Sequence, residues 1–145
     1  KSAARACLED EETVWFGCDV GKQLHRERGI LDLDTFEFDL LYDTDFDLEK
    51  AQRVTYGHSK MTHAMLFVGV HIDEGEAVRW KVENSWGEES GQQGFLVMSD
   101  EWFDEYLFQV VVPKEHVPEQ KLAALDEDPT VLPPWDPMGA LATGR

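Results

Sequence analysis

The sequence contains few cysteines, no long apolar run and no apolar segment at its start. Two of the 145 residues are cysteine, Cys7 and Cys18, and they match neither a disulfide framework nor a zinc-binding spacing. No apolar stretch approaches the roughly 20 residues that span a membrane, and the first 12 residues lack the apolar segment of a secretory signal. We therefore expect a cytoplasmic protein that has no membrane partner.

Basic residues are also scarce. The 13 Lys and Arg residues stand against 30 Asp and Glu residues, which gives a formal net charge of −17. Binding to nucleic acid or to an anionic membrane needs clustered Lys and Arg that displace counterions, so we expect neither partner. The acidic excess is typical of a well-solvated surface, and attraction of cationic peptides is the alternative.

The apolar content is sufficient for a folded domain. With 42% hydrophobic and 11% aromatic residues, a chain of 145 residues is long enough to bury a core. The composition changes at Pro113, after which five further prolines follow at positions 118, 129, 133, 134 and 137. We predict a β-rich region over 1–112 and a Pro-rich C-terminal arm over 113–145.

The apolar pattern predicts mainly antiparallel strands with little helix. Alternation is clearest where Val78, Trp80 and Val82 alternate with charged residues. Asp100 is predicted to cap a single helical turn. The predicted strands are 13–21, 62–72, 77–86, 94–99 and 107–112, and the predicted helices are 2–10, 46–52 and 119–127.

Two of these strands predict a contact between a histidine and an asparagine. The strands 62–72 and 77–86 are separated by a turn sequence, so they are expected to form a hairpin. If the turn is centred between Asp73 and Glu74, His63 lies directly opposite Asn84. Side chains at such positions have Cβ atoms about 4.5–5.5 Å apart, which allows an imidazole–amide hydrogen bond.

Such a pair serves a known kind of chemistry. An Asn oxygen that accepts from one ring nitrogen of His63 fixes its tautomer, and the other nitrogen then exchanges a proton with a cysteine nucleophile. Trp86 would shield the contact between His63 and Asn84 from water. The alternative to a catalytic pair is that His63 is a surface or core residue with a structural role and that Asn84 only helps to form the turn. The pairs His58/His63 and His63/His71 lack a carboxylate or cysteine at ligand spacing, so we predict no metal site and no cofactor.

Several motifs carry a family resemblance. The segment 84–95, Asn-Ser-Trp-Gly followed by spaced glycines and an aromatic residue, resembles the corresponding segment of papain-like cysteine peptidases. In the same order along the chain, further motifs resemble the bleomycin hydrolase and aminopeptidase C family; they are 14–22, 61–65, 82–87, 100–106 and 132–142. The chain is therefore similar to the C-terminal portion of that family.

The resemblance implies an α+β papain-like fold, of which this chain would be the mainly antiparallel, β-rich half plus the C-terminal arm. It makes His63 the catalytic histidine, Asn84 its orienting residue and Trp86 the supporting residue. The family nucleophile is the Cys of a Cys-Trp motif, and neither Cys7 nor Cys18 is followed by Trp. We therefore expect the nucleophile upstream of Lys1, and we expect this chain alone to be inactive.

The resemblance also implies a function for the complete protein. We expect a cysteine aminopeptidase that hydrolyses N-terminal residues from peptides and from amide compounds such as bleomycin. Its partners would be peptide substrates, the N-terminal portion that carries the catalytic Cys, and further copies in a homo-hexamer. The end of the arm, with Leu141 and Ala142, would enter the active-site cleft. The alternative is a non-catalytic acidic β module that binds partners through its Pro-rich tail.

Overall fold

The computed structural model describes residues 1–46 and 48–138. Within them, seven strands form one sheet in the order β2-β3-β6-β5-β4-β1-β7. All neighbouring strands are antiparallel except β3 and β6, which run parallel. The strands are β1 (Val14–Cys18), β2 (Leu24–His25), β3 (Ile30–Leu31), β4 (His63–Asp73), β5 (Glu76–Glu83), β6 (Phe95–Ser99) and β7 (Leu107–Val111).

Short helices surround this sheet. The described part of the chain contains five α-helices, which are α1 (Ser2–Glu9), α2 (Phe38–Tyr42), α3 (Lys50–Thr55), α4 (Asp100–Tyr106) and α5 (Glu119–Leu122). Three 3-10 turns, Leu33–Thr35, Lys114–His116 and Ala123–Asp126, complete the set in the same residues. No helix among the described residues is long and apolar enough to cross a membrane.

The mainly antiparallel sheet confirms the strand predictions, but the helix after β6 differs from its prediction in two respects. The helix after β6 has seven residues rather than one turn, and its N-cap is Ser99, whose hydroxyl accepts from the Trp102 amide, in place of Asp100. Serine is among the preferred N-cap residues, and here Asp100 is the first helical residue. The strands β2 and β3 were not predicted at all, because each has only two residues.

An aromatic cluster forms the core between the sheet and α4. The Trp80 ring, on β5, lies 5.0 Å from Phe67 of β4 and 4.9 Å from Phe103 of α4, measured between ring centroids. Phe67 also stacks on Phe16 of β1 at 3.9 Å. Trp80 is fully buried. The alternation that predicted β5 thus reports the face that packs on this core.

The hairpin of β4 and β5 closes one residue later than predicted. Asp73 pairs with Glu76, so the two central turn residues are Glu74 and Gly75, with φ of 50° and 90°. Two-residue hairpin turns of this kind need positive φ at both central positions, and glycine adopts it without steric cost. The last pair in the hairpin is Leu66 with Glu83. The predicted direct pairing of His63 with Asn84 is therefore wrong as a register.

Candidate active site

Two neighbouring strands bring His63 to the end of the sheet. His63 is the first residue of β4 and pairs with Cys18, the last residue of β1. Just before it, the Thr62 amide donates to the Cys18 carbonyl over 2.9 Å. Asn84 follows the last residue of β5, and its backbone N–H donates to the Gly94 carbonyl over 3.1 Å. Backbone hydrogen bonds therefore hold both residues where their strands end.

The two side chains meet although they are not direct cross-strand partners. His63 Nε2 lies 2.9 Å from Asn84 Oδ1, and the Ser85 amide donates to the same oxygen over 2.8 Å. An amide oxygen only accepts hydrogen bonds, so the contact places the ring proton on Nε2. Nδ1 is then the unprotonated nitrogen of the neutral ring, available to receive a proton.

Trp86 lies beside this pair. Its ring centroid is 5.1 Å from that of His63, and the Arg26 guanidinium lies 4.8 Å from the Trp86 centroid. Both Asn84 and Trp86 are half-buried. The indole therefore limits the access of water to the hydrogen bond between His63 and Asn84, which strengthens it. Arg26 was not predicted, since nothing in its local sequence links it to a tryptophan so far along the chain.

The glycines behind Trp86 allow a close approach of two backbones. Gly91 has a φ of 63°, and a Cβ there would clash with the Phe95 carbonyl oxygen and lie 3.1 Å from the Gly29 Cα. The Gly91 amide also donates to the Arg26 carbonyl over 3.0 Å. Only glycine fits this position. The loop that carries Trp86 is thus fastened to the segment that carries Arg26.

Comparison with known proteins identifies the family of the chain. The sequence pattern of the peptidase C1-like family matches residues 1–139. The chain belongs to the peptidase C1-like family. Aminopeptidase C of Lactococcus lactis subsp. lactis strain IL1403 is 52% identical over 143 residues, which make up 98% of this chain and 33% of that protein. Bleomycin hydrolase of Mus musculus is 49% identical over 146 residues, 98% of this chain and 32% of that protein.

A solved relative has the same fold as this peptidase C1-like chain. The crystal structure of PepW from Lactobacillus rhamnosis HN001 superposes with a TM-score of 0.90 at 48% identity, covering 96% of this chain and 32% of PepW. The predicted fold class, an α+β fold of which this chain is the β-rich part, is confirmed. The chain spans about a third of the length of the relatives it matches.

A buried carboxylate in this peptidase C1-like chain holds the segment that leads into His63. Asp19 follows β1 and is 5% exposed. Its carboxylate accepts from the Ser59 hydroxyl over 3.0 Å, from the Lys60 amide over 3.3 Å and from the Thr62 hydroxyl over 3.3 Å. These contacts fix the approach to β4. Asp19 was not predicted; the signal that could have identified it is a single acidic residue within the otherwise uncharged segment 13–21.

Neither cysteine of the chain has the properties of a nucleophile. Cys7 and Cys18 are both fully buried. Burial raises the pKa of the Cys18 thiol strongly, with a further contribution from Asp19, and burial and Glu12 raise the pKa of Cys7. A nucleophilic cysteine has a lowered pKa and is accessible to substrate. Both residues therefore fit structural roles, in agreement with a nucleophile outside this chain.

The arm returns to the site before the described residues end. Met61 lies two residues before His63 in the sequence, and its backbone amide donates to the Pro137 carbonyl over 3.0 Å. Leu141 and Ala142, which were predicted to enter the cleft, lie outside the described residues. The division at 112/113 stays a prediction.

Proposed function

We propose that the complete protein is a cysteine aminopeptidase in which this chain supplies the histidine and asparagine of a Cys-His-Asn triad. The observation that carries the proposal is the 2.9 Å contact between His63 Nε2 and Asn84 Oδ1, which leaves Nδ1 as the proton acceptor. The names of the relatives, aminopeptidase C and bleomycin hydrolase, support the same reaction class. The nucleophilic cysteine belongs to the N-terminal portion of the protein.

In this mechanism His63 first acts as a base. Its Nδ1 takes the proton of the cysteine thiol, which gives a thiolate–imidazolium pair, and the thiolate attacks the carbonyl carbon of the substrate. The imidazolium then gives the proton to the leaving amine, and a thioester remains. A water molecule hydrolyses the thioester after His63 accepts one of its protons, and the thiol is restored. Asn84 keeps the ring oriented throughout, and Trp86 keeps water from their hydrogen bond.

The C-terminal arm provides the reason for cleavage at free N-termini. The hydrogen bond between Met61 and Pro137 fastens the last described part of the arm to the segment that leads directly into His63. The remaining residues, with Leu141 and Ala142, enter the cleft in this proposal, and the carboxylate at the end of the arm pairs with the free amino group of the substrate. Peptides and amide compounds such as bleomycin are the substrates.

The protein acts as a cytoplasmic homo-hexamer. Mass photometry tests the number of subunits, and cell fractionation tests the location.

A peptidase assay on the full-length protein tests the reaction class. We expect hydrolysis of aminoacyl amides, at least tenfold slower hydrolysis of the same compounds with an acetylated amino group, and loss of both activities after thiol alkylation. The acetyl group removes the charge that pairs with the arm carboxylate. Activity that survives alkylation would rule out a cysteine peptidase, and equal rates on free and acetylated substrates would rule out the exopeptidase role.

Asn84→Ala should reduce kcat more than it changes KM. The ring of His63 would lose the acceptor that fixes its tautomer, while the substrate-binding surface stays intact, so we expect kcat to fall by on the order of 10²-fold. Steady-state kinetics on the full-length protein measure both constants. Gln92→Ala, an exposed change in the same loop, is the control and should leave kcat unchanged. A change confined to KM would contradict the orienting role.

A further inference from the structure

A second cluster of reactive side chains lies outside the candidate active site. Cys7, Glu12 and His116 each offer a ligand atom, and the thiol sulfur, the carboxylate oxygen and the ring nitrogen all lie within 4.8 Å of one another. Asp10 Oδ2 lies 3.7 Å from His116 Nε2. None of these residues takes part in the described contacts of His63.

Three separate features of the backbone bring the cluster together. Cys7 lies in the last turn of α1, and the Glu12 amide donates to the Cys7 carbonyl over 2.8 Å, which folds the following turn back on the helix. Glu11 has a φ of 62°, the left-handed conformation in which helices commonly end. His116 ends the 3-10 turn after β7. The ligands therefore come from two distant parts of the sequence, which is why their spacing gave no signal.

The chemistry of the three groups fits zinc better than it fits an ion pair or a catalytic centre. An ion pair between His116 and Asp10 has no need of a thiol. A nucleophilic role is excluded for Cys7, because the residue is fully buried. Thiolate, imidazole and carboxylate together are instead the ligand types that zinc takes in proteins.

The distances fit as well. Ligand atoms in a tetrahedral zinc site lie about 3.5 Å apart, so the cluster needs to contract by roughly 1 Å to reach that geometry. The exposed side chain of Glu12 has the freedom to shorten its own two distances, and the distance between Cys7 and His116 closes by rotation of the partly buried His116 ring. Three protein ligands leave the fourth position of a tetrahedral site to water.

We propose that Cys7, Glu12 and His116 bind a zinc-type dication. The ion replaces the thiol proton of Cys7 and neutralises the carboxylate of Glu12. It joins α1 to the first residues of the arm, which follow β7. Because the site exists only in the folded chain, the bound ion stabilises the fold.

Cobalt titration of the full-length protein tests the site. Co²⁺ replaces Zn²⁺ in such sites, and its bond to a thiolate gives a charge-transfer absorption band. Accessible thiols, including the nucleophile, are alkylated beforehand, so the remaining band reports a buried cysteine. We expect one equivalent of Co²⁺ to produce the band, Zn²⁺ to displace it, and Mg²⁺ and Ca²⁺ to leave it unchanged.

Matched variants decide the assignment. Cys7→Ala should remove the band, and the control Cys18→Ala should keep it. His116→Gln and Glu12→Gln, at less buried positions, should each weaken Co²⁺ binding at least tenfold, and the control His25→Gln should not. A band that survives Cys7→Ala, or unchanged affinity in both His116→Gln and Glu12→Gln, overturns the site even if another variant fails to fold. Peptidase activity is not the readout, so failure of the proposed function leaves this test intact.

Discussion

His63→Ala in the full-length protein should lower kcat/KM for aminoacyl amides by about 10³-fold or more, because both proton transfers are lost. General acid–base catalysis contributes about 10²–10⁴-fold in enzymes, and a cysteine peptidase also loses the thiolate–imidazolium pair that activates its nucleophile. The loss should appear mainly in kcat, since the imidazole is not needed to bind the substrate. Steady-state kinetics measure the effect.

His71→Ala is the matched control for this variant. His71 lies on the same strand, β4, but is exposed and pairs with Arg79. It should retain full activity, and both variants should show the same thermal unfolding midpoint within a few degrees. Activity that His63→Ala retains at the level of His71→Ala would refute the assignment of the catalytic histidine.

Trp80→Ala should lower the free energy of unfolding by about 3–5 kcal/mol. The indole is fully buried between Phe67 and Phe103, and its Nε1 donates to Asp100 Oδ1 over 3.0 Å. Truncation therefore leaves a cavity in the aromatic cluster and an acceptor without its donor at the start of α4. Urea unfolding followed by far-ultraviolet circular dichroism should show a lowered midpoint.

Trp135→Ala provides the comparison for Trp80→Ala. Trp135 is 83% exposed, so its removal should change the free energy of unfolding by no more than about 0.5 kcal/mol. Equal shifts of the urea midpoint in the two variants would contradict the placement of the core between the sheet and α4.

The long strands were predictable because each one carries a periodic signal. Trp80 and Val82 face the core on β5 while Lys81 and Glu83 are exposed, and this alternation is visible in the sequence. The strands β2 and β3 carry no such signal. They exist because β3 pairs with β6, a contact between segments far apart in the chain, and tertiary pairing of that kind leaves no local pattern.

The site was predictable in its members but not in its register. The hairpin turn lies one residue further along than predicted, which moves the facing partners of Leu66 and Phe67, the paired residues nearest the site, by two positions. A shift of two keeps the side chains at this end of the hairpin on the same face of the sheet, so His63 and Asn84 still meet, as diagonal neighbours. Arg26 and Asp19 depend on contacts between loops, which hydrophobic periodicity does not report.

The close approach of Gly91 to Gly29 has a consequence for protein engineering. The Trp86 loop and the segment from Arg26 to Gly29 are joined by the amide of Gly91 and by the stacking of Arg26 on Trp86. A designer who transplants the His63–Asn84 pair onto another scaffold therefore has to move three segments of chain. These are the hairpin of β4 and β5, the loop that carries Trp86, and the segment from Arg26 to Gly29. A graft of the hairpin alone would carry His63 and Asn84 but leave behind the backbone that holds Trp86 beside them.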